Sequence, residues 1–142
     1  MKIILVAFCL LLTITASRAD FIDMYLEFSK DATLDCGKEN GFTEDDARAI
    51  FDKDVETGLE NASCLRACIL KQLGMLRNSK INMKMIKDFI RIVHKEDPEM
   101  MKVGLEHVDH CYEKVKDMTD DCKMAYGLIG CYLDKGSALM SA

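Results

Sequence analysis

Proline occurs once in this 142-residue chain, at Pro98, and the eight glycines are scattered. With no Pro-rich or Gly-rich stretch and no internal repeat, nothing marks a linker, and one compact domain is the simplest organisation. Positive charge is also short. The 19 Lys and Arg stand against 24 Asp and Glu, a formal charge of −5, which argues against nucleic acid or an anionic membrane as partner. No apolar run approaches the ~20 residues of a membrane-spanning helix, so membrane insertion is not expected. Sustained two-residue alternation is missing too, which leaves no sequence basis for a sheet.

What is present begins with a leader. Lys2 precedes the apolar run Ile3 to Leu12, and Ser17-Arg18-Ala19 forms a small-x-small cleavage site. Residues 1–19 read as a signal peptide cut after Ala19, with Ala16 or Ser17 as alternative sites, and Cys9 leaves with it. The expected product is a secreted, extracellular domain of residues 20–142, that is 142 − 19 = 123 residues. Losing Lys2 and Arg18 takes the basic count from 19 to 17 against 24 acidic groups, a charge of −7.

The six remaining cysteines, Cys36, Cys64, Cys68, Cys111, Cys122 and Cys131, are separated by 27, 3, 42, 10 and 8 residues, an even count suited to an oxidising compartment. Cys64 and Cys68 share one helical face and should seek different partners. Cys122 and Cys131 lie on opposite sides of a helix, roughly 13 Å apart along its axis, too far to bridge. Of about 15 pairings open to six cysteines, these exclusions remove five and leave ten.

Apolar spacing predicts six helices. The first runs over about 21–35 through Phe21, Ile22, Tyr25, Leu26 and Phe28, stopping near Cys36 and Gly37. Thr43, an N-cap followed by the acidic Glu44, Asp45 and Asp46, opens a second that carries Ala47, Ile50, Phe51 and Val55. The third, about 59–76, aligns Leu65, Ile69, Leu73 and Leu76. Asn82 caps a fourth, Asp97-Pro98 starts a fifth, and Thr119 or Asp120 opens a sixth that ends before Gly136.

About 120 residues can fold by ordinary packing, so three disulfides exceed what size demands. A ligand cavity of about 300 Å³ would cost on the order of 7 kcal/mol, and three bridges at roughly 3 kcal/mol each would offset it. Met83, Met85, Met100, Met101, Met118 and Met124 lie on helices four to six, where flexible thioethers suit an irregular apolar wall or simply fill core. The fold class expected is all-α: a six-helix, disulfide-linked domain enclosing an apolar cavity.

With Cys36, then Cys64-x3-Cys68, Cys111 and Cys122-x8-Cys131 on a secreted, acidic, helical chain, the sequence resembles the insect odorant-binding proteins of the pheromone-binding and general odorant-binding type, over about residues 21–135. The resemblance implies pairing of Cys36 with Cys68, Cys64 with Cys122, and Cys111 with Cys131. It further implies a carrier that holds a small hydrophobic odorant or pheromone and takes it through aqueous lymph to a membrane odorant receptor, as a monomer or weak homodimer. No catalysis, cofactor or metal is expected. The alternative is a secreted effector of venom, saliva or defence in which the cavity is incidental.

Family motifs beyond the cysteines are sparse, so the pocket wall is read from helical faces: Leu73, Leu76, Phe89, Ile90, Val93, Met101, Leu105, Val108, Tyr112, Leu128 and Tyr132. Tyr25, Tyr112, Tyr126 and Tyr132 offer hydroxyls for a ligand headgroup. The apolar tail, with Leu139 and Met140, is a candidate lid. His94, His107 and His110 titrate near neutrality and could serve pH-driven release, against the plainer reading of solvated surface histidines. His107 and His110 with Asp109 or Glu106 make a poor zinc set, because a structural site wants four closed ligands. Asp109-His110-Cys111-Tyr112 is similar to a secreted phospholipase A2 stretch, but Val108 stands where the catalytic histidine belongs and the calcium loop is missing. Asp52, Asp54 and Glu56 begin like a calcium-binding loop, yet Thr57 replaces its glycine, which leaves a solvated acidic turn. Asn61-Ala62-Ser63 is a candidate N-glycosylation site.

Overall fold

The computed structural model describes residues 21–134. The expected signal peptide and the candidate lid at Leu139 and Met140 lie outside them. Helix α1 covers residues 21–28; α2 (Lys30–Glu39), α3 (Ala47–Val55), α4 (Leu65–Gln72), α5 (Met83–Val93), α6 (Pro98–Val115) and α7 (Asp121–Ile129) follow, and a π turn (Gly130–Asp134) extends α7. The fold is all-α. Among the described residues no helix is long and apolar enough to cross a membrane.

The helix starts follow sequence chemistry. Asp46, Asn82, Asp97 and Asp120 accept hydrogen bonds from backbone N–H groups of the first turns of α3, α5, α6 and α7, satisfying donors the helix itself cannot.

Helix ends depart from expectation in three places. The predicted first helix bends at Ser29, whose hydroxyl donates to the Tyr25 carbonyl while Thr33 donates to that of Ser29, both at 2.9 Å; such back-bonding bends helices. Its second half, α2, runs past Cys36 and Gly37 to Glu39. The predicted third helix begins only at Leu65, after a turn region, and ends at Gln72 instead of 76. At both α2 and α4 a glycine at positive φ, Gly41 or Gly74, closes the helix. Phe42 N–H then reaches the Gly37 carbonyl at 2.9 Å and Met75 N–H that of Leu70 at 2.8 Å, the six-to-one bond of a Schellman cap.

A small sheet corrects the expectation of none. Leu76 pairs with Ile81 and Arg77 with Lys80 in an antiparallel hairpin, turned by Asn78 and Ser79 at φ of 53° and 60°, which is type I′ geometry. Two residues per strand are too few for alternation to show.

Three disulfides tie these elements: Cys36–Cys68 joins α2 to α4, Cys64–Cys122 joins the starts of α4 and α7, and Cys111–Cys131 joins α6 to the π turn, with Cα separations of 5.7, 4.7 and 5.7 Å. The main core gathers side chains from α1 and from α3 through the π turn, and a smaller cluster of Cys36, Ile50 and Leu65 sits between α2, α3 and α4.

Candidate functional site

The core is not filled. A cavity of about 100 Å³ lies inside it. Tyr25 and Leu26 of α1 border it with Thr33 of α2 and Phe51 of α3; α4 contributes Leu65, Arg66, Ile69 and Leu70, followed by Leu73 and Met75. The opposite wall is Ile86, Phe89 and Ile90 of α5, Val108 of α6, Leu128 and Ile129 of α7, and Tyr132 and Leu133 of the π turn. Helical spacing places each set on one face. The surface they present to the cavity is almost wholly carbon.

At one end of the cavity Tyr25, Tyr132 and His94 form a buried cluster. The Tyr25 hydroxyl bonds the Tyr132 hydroxyl and lies 3.0 Å from His94 Nε2. Phe21 stacks on His94 with centroids 5.5 Å apart. Gly104 of α6 makes room for this arrangement, since a Cβ there would sit 2.7 Å from the Tyr132 hydroxyl oxygen. Burial holds the His94 pKa below its ordinary value, against the opposing pull of Asp97. Burial also pushes Tyr132 up to about 12 and Tyr25 well above the usual phenol range. His94 is 3% exposed, which corrects the surface reading for that residue. His107 is half-buried, its ring stacked on Tyr132 at 5.7 Å and its Nε2 donating to the Cys131 carbonyl at 3.1 Å; His110 is exposed.

Of the wall residues expected from sequence, Leu73, Phe89, Ile90, Val108, Leu128 and Tyr132 border the cavity. Leu76 and Val93 are buried in the core away from it, and Met101, Leu105 and Tyr112 are half-buried outside its wall. Apart from Tyr25, named only as a headgroup donor, the α1, α3 and α4 contributions were missed. Their apolar stripes are plain in the sequence, but nothing local says that they face a gap. The methionines of helices four to six do not line the cavity; Met75 does. Branched and aromatic side chains fix its shape instead.

The region read as a solvated acidic turn also needs correction. Asp52 and Glu56 are exposed, but Asp54 lies in α3 and is fully buried. Its Oδ2 accepts from Arg66 Nε at 2.7 Å and its Oδ1 from the Ser63 hydroxyl at 2.5 Å. Asp54 shares the inward face of α3 with Ile50 and Phe51, and a carboxylate there is tolerable only because Arg66 meets it. The Arg66 guanidinium lies between the Phe51 and Tyr126 rings, 5.2 and 4.1 Å from their centroids. Tyr126, a candidate headgroup donor, gives its hydroxyl to the Val55 carbonyl at 3.0 Å.

The chain matches the model of the PBP/GOBP family over residues 19–135. It belongs to that family. It is similar to general odorant-binding protein 19d of Drosophila melanogaster, 28% identical over 102 residues covering 71% of this chain and 67% of the relative. It is also similar to pheromone-binding protein Gp-9 of Solenopsis daguerrei and of Solenopsis electra, each 26% identical over 107 residues, 69% of this chain and 68% of the relative. No solved structure matches significantly. At the level of the PBP/GOBP family, this is a carrier of hydrophobic ligands.

The groups dense in metal-ligand atoms, His107 with Cys111 and Cys131 and Glu39 with Cys36 and Cys68, each contain both sulfurs of one disulfide and so lack the thiolates zinc prefers. In the phospholipase-like stretch, Cys111 is bridged and Asp109 pairs with Lys87 at 2.8 Å.

Proposed function

We propose that residues 20–142, released from the signal peptide, form a secreted carrier that takes one small odorant- or pheromone-like molecule into the cavity and delivers it through aqueous lymph to a membrane odorant receptor. It binds without catalysis, as a monomer or weak homodimer. Asn61, exposed in the turn before α4, is open to a glycan.

The observation that carries this reading is the carbon-walled cavity of about 100 Å³ in a triply bridged core. An unfilled gap of that volume costs on the order of 2 kcal/mol, which a protein built only for stability would recover by filling it. Its size is below the usual ~300 Å³ of ligand sites and below the ~150 Å³ that accommodates benzene. A ligand even of toluene's size therefore enters only as the wall side chains move outward to admit it.

Calorimetric titration of the mature chain with toluene tests the proposal, with a Leu73→Trp variant as control. Saturable one-to-one binding that the bulkier wall residue abolishes is expected. Absence of saturable binding by the native chain defeats the carrier reading.

A further inference from the structure

Among the described residues, every hydroxyl on the cavity wall gives its proton to a partner within the protein. Ser29 and Thr33 donate backwards to the Tyr25 and Ser29 carbonyls. The Tyr25 hydroxyl bonds both His94 Nε2 and the Tyr132 hydroxyl; with neutral His94 in the tautomer that accepts at Nε2, Tyr25 donates to the ring and Tyr132 donates to the Tyr25 oxygen, so both phenolic protons are used. Arg66, the one charged side chain on the wall among the described residues, gives its Nε to Asp54 at 2.7 Å and its Nη1 to the Tyr126 carbonyl at 3.3 Å. What remains facing inward is carbon.

We infer that the cavity selects hydrocarbons over alcohols or phenols of the same shape, and that the closed Tyr25–Tyr132–His94 cluster enforces the selection by withholding its hydrogen-bonding groups. The inference rests on the carrier reading of this cavity. A ligand hydroxyl entering it surrenders water and faces a wall whose exposed surface is almost wholly carbon, and an unpaired buried hydroxyl is strongly penalised. A methyl group at the same place loses nothing and fills space. The penalty cannot be relieved cheaply, because giving a ligand the Tyr25 or Tyr132 proton strands another member of the cluster. Gly104 holds that cluster close by leaving Tyr132 room against α6.

Toluene and phenol, in which a methyl and a hydroxyl occupy the same position, make the comparison direct. Calorimetric titration of the mature, fully bridged chain is expected to give one-to-one binding of toluene and affinity for phenol lower by about 10- to 100-fold. Tyr25→Phe, which strands the Tyr132 hydroxyl and His94 Nε2, narrows that ratio by raising phenol affinity. Tyr132→Phe, which leaves the Tyr25 oxygen without its donor, is the second variant should the first not fold, and circular dichroism reports folding for both. Phenol bound as tightly as toluene by the native chain overturns the inference and leaves the carrier standing. An unchanged ratio in the folded variants overturns the role given to the cluster. Saturable binding of neither compound defeats both readings.

Discussion

Arg66 Nε meets Asp54 Oδ2 at 2.7 Å, with the two side chains 1% and 0% exposed. An isolated charge at either position would be intolerable there, whereas the pair, with Ser63 and the Tyr126 carbonyl completing it, joins α3, α4 and α7 beside the cavity. Breaking it from one side leaves an uncompensated buried charge. Asp54→Ala is expected to destabilise by about 3–5 kcal/mol, while a double change of Asp54→Leu with Arg66→Met costs far less. Denaturant melts of the two variants check the difference.

Gly104→Ala sets a new methyl 2.7 Å from the Tyr132 hydroxyl and 3.1 Å from Ile90. Alanine gains up to about 1 kcal/mol of helix propensity, but overpacking costs about 1–3 kcal/mol and should prevail. The expected outcome is a net loss of about 1 kcal/mol by thermal melting, with toluene affinity altered because Tyr132 and Ile90 both border the cavity.

The bridges differ in how much chain they close. Cys64–Cys122 spans 58 residues and Cys111–Cys131 spans 20. Replacing both members of a pair with serine should cost about 4 kcal/mol for the longer loop and about 3 kcal/mol for the shorter. Denaturant melts that reverse the order contradict this.

His94 makes stability depend on pH. Its folded pKa lies below its ordinary value because burial disfavours the charged ring. Below about pH 6.5 the unfolded chain therefore binds a proton that the folded chain resists. Stability falls as pH drops from there towards the folded pKa and levels off beneath it. His94→Gln, which keeps an acceptor for Tyr25, should flatten that slope in denaturant melts run from pH 7.5 to pH 5.

Much of this molecule is legible in its linear order. Apolar periodicity announces the helices, and Asn82, Asp97 and Asp120 mark three of their starts; α3 is capped by Asp46 rather than by the expected Thr43, and Gly41 and Gly74 mark two ends expected near Gly37 and at Leu76. The hairpin at Leu76–Ile81 escaped because its strands are shorter than one full alternation. The depth of Asp54 and His94 escaped for a different reason. A charged or titratable residue on an apolar stripe looks the same in sequence whether its partner lies in solvent or, like Arg66 and Tyr25, on another helix.

Linear order alone specifies a helical chain, capped and punctuated by local hydrogen-bonding chemistry, with six cysteines spaced to tie its segments together. Ten pairings satisfied that spacing, and the stripes of α1 through α7 named core residues without saying where the core is hollow. Which side chains surround the cavity, and that their hydroxyls turn away from it, emerges from the packing of distant segments. Local signals act within a few residues along the chain, whereas Tyr25 and Tyr132 meet across 107 residues, and a void is defined by what every surrounding segment leaves unfilled.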